Sequence, residues 1–269
     1  MPRPTLTSLL AQLAKSFCSA FLMYSRIPMP QVEWKEENRR YALCFFPLIG
    51  LVTGTLLMAL FWLGQRLGMG ELLFAVLAVA LPLLVTGGIH LDGFCDVHDA
   101  QASWGSREKL LSILADPHIG SFAAIRLGAY LLLLAGLYAE AARFSSPRLM
   151  AVCALGFVQS RSLSGLGAVT LKAAKTGGTL QSFAHPAHRQ ATVAVTALFL
   201  AASLGAMVAL CPLPGLCGGL CGGLAFLRYR RLAYRRFGGI TGDLAGYFLC
   251  LCELAVPAGA VAGAFLVCL

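Results

Sequence analysis

The sequence predicts an all-α, polytopic membrane protein, with about seven transmembrane helices preceded by an N-terminal amphipathic helix. Three observations carry this. Of 269 residues, 58% are hydrophobic and only 12% are charged, against about 25% charged in soluble domains. Seven windows approach the roughly 20 apolar residues that a bilayer core requires: 41–64, 71–90, 119–141, 148–170, 191–210, 213–227 and 243–268. The 21 Lys and Arg residues are also distributed unevenly between the segments joining these windows.

Taken in order, residues 5–24 are apolar on one face and interrupted by Gln12 and Lys15. They read as a helix lying on the membrane surface rather than a cleavable leader. The sixth window, 213–227, is short and Gly-rich and follows Pro212 and Pro214, so it is the span expected to be tilted, re-entrant or broken. With seven crossings, the N-terminal segment and loops 91–118, 171–190 and 228–242 share one side. They carry sixteen Lys and Arg residues, against Arg66, Arg143 and Arg148 on the other side. The positive-inside bias places the sixteen in the cytoplasm and the C-terminus outside. The net charge of +9 is thereby read as orientation, with a share left for an anionic substrate, and not as a nucleic-acid surface.

The ten cysteines mostly lie inside apolar runs and are expected to be reduced, buried hydrophobes. Cys217–Cys221 and Cys250–Cys252 lack the companion pair of a zinc site. Trp34, Trp62 and Trp104 read as interfacial anchors. Arg161 and Glu253 fall inside spans, where a charge is expensive unless it is paired or faces a polar cavity, and structural ion pairs, with each other or with nearby groups, are expected for them.

All five histidines and Asp92, Asp96, Asp99, Asp116 and Asp243 lie in or beside the cytoplasmic loops. An enzyme working on one face would show this pattern, whereas a transporter would carry polar groups at mid-membrane. The densest segment is His90-Leu91-Asp92-Gly93-Phe94-Cys95-Asp96-Val97-His98-Asp99. Its three aspartates are spaced i, i+4, i+7 and share one face of a helix. Like charges so placed repel one another unless a cation joins them, and hard oxygen ligands select Mg²⁺, Mn²⁺ or Ca²⁺. Beyond it, Asp116-Pro117-His118-Ile119-Gly120-Ser121 breaks the chain before the third window, with Asp116 a further ligand or base and Ser121 a helix cap or phosphate contact. Gly238-Gly239-Ile240-Thr241-Gly242-Asp243 leads into the last window, where Asp243 is either a cap or a site residue.

The motif His90-Leu91-Asp92-Gly93-x-x-Asp96-x-x-Asp99 resembles the signature of the bacterial cobalamin synthase family, the adenosylcobinamide-GDP ribazoletransferases. Arg26-Ile27-Pro28-Met29-Pro30, Phe46-Pro47-Leu48-Ile49-Gly50, Ile119-Gly120-Ser121 and Gly238-Gly239-x-Thr241-Gly242-Asp243, with Glu253 ten residues later, resemble other stretches of that family in the same order. His118 stands where the family usually carries an arginine, and Ala100 where it usually carries a glycine.

The resemblance implies a single integral-membrane transferase domain over 1–269, with a cytoplasmic amphipathic segment at 1–40 and a metal-binding catalytic loop at 91–118. It implies that adenosylcobinamide-GDP is joined to α-ribazole, or its 5′-phosphate, with release of GMP, at the cytoplasmic face of a bacterial inner membrane. It implies a Mg²⁺ held by Asp92, Asp96 and Asp99, catalysis by these three and Asp116, and substrate contacts at His90, Arg107, His118, Ser121, Thr241 and Asp243. Lys175 joins Arg107 as a phosphate-holding cation. The expected partners are the two substrates and the bilayer, with no nucleic acid; self-association, or association with other corrinoid enzymes, stays open. Two alternatives differ in class. A CDP-alcohol phosphotransferase would need Ala-Arg where Asp96-Val97 stands, and a divalent-cation transporter would need polar groups within several spans.

Overall fold

A computed structural model describes residues 6–175 and 178–268. Among the described residues no strand forms, and extended pairing is limited to one parallel bridge between Ala173 and Ile240. The helices are α1 (Leu6–Tyr24), α2 (Glu36–Arg39), α3 (Ala42–Leu67), α4 (Glu71–Thr86), α5 (Ile89–Ala102), α6 (Arg107–Ile113), α7 (Ser121–Arg143), α8 (Pro147–Thr170), α9 (Thr179–Ala184), α10 (Arg189–Leu210), α11 (Pro212–Leu232) and α12 (Gly242–Cys268), with a π-helical turn at Ala233–Phe237 ahead of α12. The chain is a polytopic helical membrane protein.

Five of these helices, α3, α7, α8, α10 and α12, are long and apolar enough to cross a bilayer. Of the seven windows, the second and the sixth do not meet that measure on their own. The second window stops at Thr86, because Gly87 (φ 67°) and Gly88 (φ 80°) occupy the left-handed region that glycine tolerates. The chain restarts as α5 at 98° to α4, so α5 runs across the end of the bundle instead of along it. The pair α4 and α5 reaches the span criterion only when taken together.

The sixth window is neither re-entrant nor broken: α11 is continuous over 21 residues, about 31 Å at 1.5 Å per residue. It falls short of the apolar spans because one of its faces is glycine. Gly215, Gly218, Gly219 and Gly222 are buried, while Leu213, Leu216, Leu220, Leu224 and Leu227 form the exposed face. A Cβ on Gly215 would lie 2.0 Å from the Met207 carbonyl oxygen of α10, and one on Gly222 would lie 2.6 Å from Gln159 Nε2 of α8. Small residues let membrane helices approach at backbone distance, and Gln159 Nε2 donates to the Gly219 carbonyl at 2.8 Å across that contact. α11 packs along α12 more extensively than any other helix pair packs.

α8 is the central helix, 83% buried over its apolar window, while α7 and α10, at 22% and 17%, form the periphery. Arg161 of α8 is fully buried and ion-paired with Glu253 of α12, the structural pairing expected for two charges inside spans. The nine cysteines described are all free, and five of them are buried. Trp34, Trp62 and Trp104 are exposed.

α1 does more than lie on a surface. Ser16, Ser19, Ala20 and Phe21 are buried, and its packing against α3 and α2 brings Met23, Tyr24 and the following Ser25 and Arg26 over the end of the bundle. The long connections gather at this same end. Lys172 and Ala174 exchange backbone hydrogen bonds with Ile240 at 2.8 and 2.9 Å, tying the 171–174 loop to the segment before α12. The connections at the opposite end are tight turns at 68–70, 144–146 and 211.

Candidate active site

The site is built where α5 crosses the start of α12. Phe94, Val97 and Ala100 of α5 face inward and are buried. On its other faces the helix lies in backbone contact with α12: a Cβ on Gly93 would sit 2.6 Å from the Asp243 carbonyl oxygen, and one on Gly246 would sit 3.0 Å from that of His90. Glycine at these two positions brings Asp243 alongside Asp92 and Asp96, from opposite ends of the sequence. All three line a cavity of about 1150 Å³, with Asp116, His118 and Arg26 also in its wall.

Asp96 is half-buried. Burial first, and then the negative charges of Asp92, Asp243 and Asp99, push its pKa up to about 7. Among the described residues, none of these four carboxylates has a basic partner within salt-bridge distance. Anionic oxygens crowded in this way fit a hard divalent cation. Among the described residues, no three His, Cys, Asp or Glu side chains converge tightly enough to form a complete ligand set by themselves. Carboxylate oxygens are the donor type that Mg²⁺ takes, but they form no ligand set on their own, and the remaining positions would fall to water and substrate phosphates.

Asp99 departs from the expected triad. Its two carboxylate oxygens accept from the backbone N–H groups of Gly120 (2.6 Å) and Ala123 (2.9 Å). It thus caps α7 from a different helix, and it is absent from the cavity wall. The cap expected of Ser121 is therefore supplied by Asp99; Gly120 has no side chain to offer, and a Cβ there would strike the Asp99 carboxylate at 2.6 Å. Since an amide oxygen can still accept one of these bonds, Asp99→Asn is expected to cost about 1 kcal/mol of stability and to reduce activity far less than Asp92→Asn. Parallel turnover and thermal-unfolding measurements on the two variants check this, and equal losses of activity would return Asp99 to the reacting centre.

Asp243 is likewise freed from a capping role. The Thr241 hydroxyl accepts from the Leu244 N–H at 3.2 Å, so Thr241 caps α12 and Asp243 turns to the cavity. Asp116 and His118 sit together on the rim: the Asp116 carboxylate accepts from the His118 backbone N–H at 3.0 Å and lies 2.8 Å from its Nδ1. These bonds hold the exposed Asp116 below the ordinary carboxylate range, which makes it a weak base.

The remaining expected residues scatter. Arg107 donates to the Ala174 carbonyl and lies against Gly238, bracing two loops outside the cavity wall. His90 is buried on the inner side of α5, where burial and the nearby Arg161 charge hold it neutral. His98 packs edge-on against Phe94 and Tyr247, with ring centroids 4.4 and 5.4 Å away, and burial pushes its pKa down to about 4. Lys175 lines a neighbouring cavity of about 170 Å³ with Thr241 and Asp243. Arg26 is the addition. It hydrogen-bonds through its backbone N–H to the Val85 carbonyl at 2.7 Å, lies against Gly87 and faces the large cavity. In the sequence it opens the Arg26-Ile27-Pro28-Met29-Pro30 stretch that resembles the family, with no role assigned to it.

No solved structure matches this chain. Among proteins of known sequence, it is 45% identical over 235 residues to an adenosylcobinamide-GDP ribazoletransferase of Lachnoclostridium phytofermentans, covering 87% of this chain and 88% of that protein. It is 34% identical over 248 residues to the protein of the same name from Desulfitobacterium hafniense, covering 90% and 94%, and 33% identical over 245 residues to that of Pseudomonas fluorescens, covering 89% and 95%. The family described as cobalamin-5-phosphate synthase matches residues 16–261, which include every residue placed in the cavity. The chain belongs to the cobalamin-5-phosphate synthase family.

Proposed function

We propose that this chain joins adenosylcobinamide-GDP to α-ribazole, or to its 5′-phosphate, and releases GMP, in a Mg²⁺-dependent transfer at the cytoplasmic face of a bacterial inner membrane. The observation that carries the reading is the meeting of Asp92, Asp96 and Asp243 in one large cavity, in a chain of this family. In the reaction a ribose hydroxyl oxygen bonds to the phosphorus that carries the cobinamide arm. The bridging P–O bond of the pyrophosphate breaks, GMP leaves with its electron pair, and the hydroxyl proton passes to one of the cavity's free carboxylates. Asp99 and Asp116 fit that last role poorly, one because both oxygens are occupied and the other because its proton affinity is lowered.

Asp92, Asp96 and Asp243 would offer carboxylate oxygens to a Mg²⁺, which would supply charge neutralisation for the leaving group. Arg26, on the same wall, supplies a fork of donors suited to phosphate oxygens, and Lys175 offers a second cation from the adjoining cavity. The orientation is supported by the fifteen basic residues of that set that the structure describes at the cavity's end of the bundle.

The test uses the detergent-solubilised chain with both substrates. Product cobalamin and GMP are expected in equal amounts, turnover is expected to stop with a chelator, and Mg²⁺ or Mn²⁺ is expected to restore it. Turnover that ignores the chelator would overturn the metal assignment, and absence of product would overturn the reaction.

A further inference from the structure

We propose that a second, smaller cavity adjoining the carboxylates is the seat of the heteroaromatic base of the ribazole substrate. This rests on the reaction proposed above. The cavity measures about 230 Å³ and is lined mainly by apolar and small side chains, among them Tyr24, Leu43, Phe46, Ser164, Ala168 and Leu249. Its one charged wall is made of Asp92 and Asp243, and that wall, with Met23 and Ile89, also belongs to the large cavity. The two chambers therefore adjoin at the same pair of carboxylates.

A transfer between two bound substrates needs two chambers that meet at the reacting groups. The phosphorus under attack must be reached from one side by the nucleophile while the leaving group departs on the other. The chamber of about 1150 Å³ suits the bulk of a corrinoid nucleotide. The chamber of about 230 Å³ does not, but its size and polarity match a flat, fused bicyclic base: a dry cavity of about 150 Å³ already takes benzene. A base seated there would point its ribose at Asp92 and Asp243, where the hydroxyl must react.

His90 stands between this chamber and a much smaller one beside Arg161 and Glu253, and its buried Nε2 has no surface open to either. The base is therefore held by the apolar walls, and the width of the chamber between α3 and α8 selects it.

The experiment narrows the chamber away from the carboxylates. Ala168→Leu and Ser164→Leu, in the full-length detergent-solubilised protein, are expected to raise the KM for α-ribazole about tenfold or more. The KM for adenosylcobinamide-GDP should be unchanged, and kcat at saturating α-ribazole should stay near wild type. A riboside of unsubstituted benzimidazole, smaller by its two methyl groups, should recover part of the loss. An unchanged KM for α-ribazole in the folded variants, an equal rise for both substrates, or an equal loss for both bases would overturn the proposal. If the leucine variants fail to fold, Ala168→Val reads the same discrimination at lower amplitude, and its absence overturns the proposal as well. Wild-type protein that forms no cobalamin from the two substrates would instead sink the reaction on which the inference rests.

Discussion

Asp92→Asn and Asp96→Asn are each expected to lower turnover about 10³-fold, the scale seen when one preorganised charge-stabilising group is removed from a transition state, while the thermal unfolding midpoint in detergent holds or rises. The two effects have one cause. Asp92, Asp96 and Asp243 meet in a half-buried cavity with no basic partner among the described residues, and Asp96 is pushed up to about 7 by burial and by its neighbours' charge. The amide keeps the shape of the side chain and removes one of the mutually repelling anions, so the fold gains. The attraction for a cation falls with each anion removed, so catalysis loses. GMP release measured alongside unfolding separates the two readouts. Activity within tenfold of wild type, or loss of activity that tracks loss of fold, would deny these carboxylates their place at the reacting centre. Asp243→Asn should behave like them, although 147 residues separate it from Asp96, because the glycine contact between α5 and α12 makes it part of the same cluster.

The second large effect is one of stability. Glu253→Leu alone should cost about 3–5 kcal/mol, because it strands a fully buried guanidinium. Arg161 donates through Nη1 to Glu253, to the Ser160 hydroxyl at 3.0 Å and to the Phe157 carbonyl at 3.3 Å, and its guanidinium lies 5.4 Å from the Phe157 ring centroid. Without Glu253 the charge has no counter-ion among the described residues. Adding Arg161→Leu should restore most of the loss, since an apolar pair of similar volume replaces a buried ion pair at little net cost. Unfolding of wild type, both single variants and the double variant completes the cycle. A double variant no more stable than the worse single would show that the pair stabilises by something other than mutual neutralisation. Turnover of the refolded double variant adds a functional reading: retained activity keeps Glu253 out of the chemistry, despite its place ten residues after Asp243.

Much of this was legible beforehand in particular residues. The apolar windows became helices where expected, because length and hydropathy act locally and need no knowledge of neighbours. The Gly-rich sixth window misled for a physical reason. Glycines 215, 218, 219 and 222 lower hydropathy, yet they exist to let α11 approach α10, α8 and α12, and hydropathy does not register helix–helix approach. The second window failed at Gly87-Gly88, a pair whose left-handed backbone ends one helix and re-aims the next. Likewise the i, i+4, i+7 spacing placed three aspartates on one stripe, but spacing is blind to what approaches that stripe. The N-terminus of α7 approaches Asp99, and its unsatisfied N–H groups claim that carboxylate.

By itself the amino-acid sequence determined the helical membrane class, the clustering of basic residues on one set of loops, the acidic segment at 92–99 and the family resemblance, because composition, period and motif are properties of short stretches. The tertiary structure decided which carboxylates line one cavity, with Asp243 beside Asp92 and Asp96 and Asp99 bound at the start of α7, which arginine borders the cavity, and that a second apolar chamber adjoins the acids. Those outcomes depend on how closely α5, α7, α8 and α12 pack, and that distance is set by glycines and caps contributed from parts of the chain far apart in sequence.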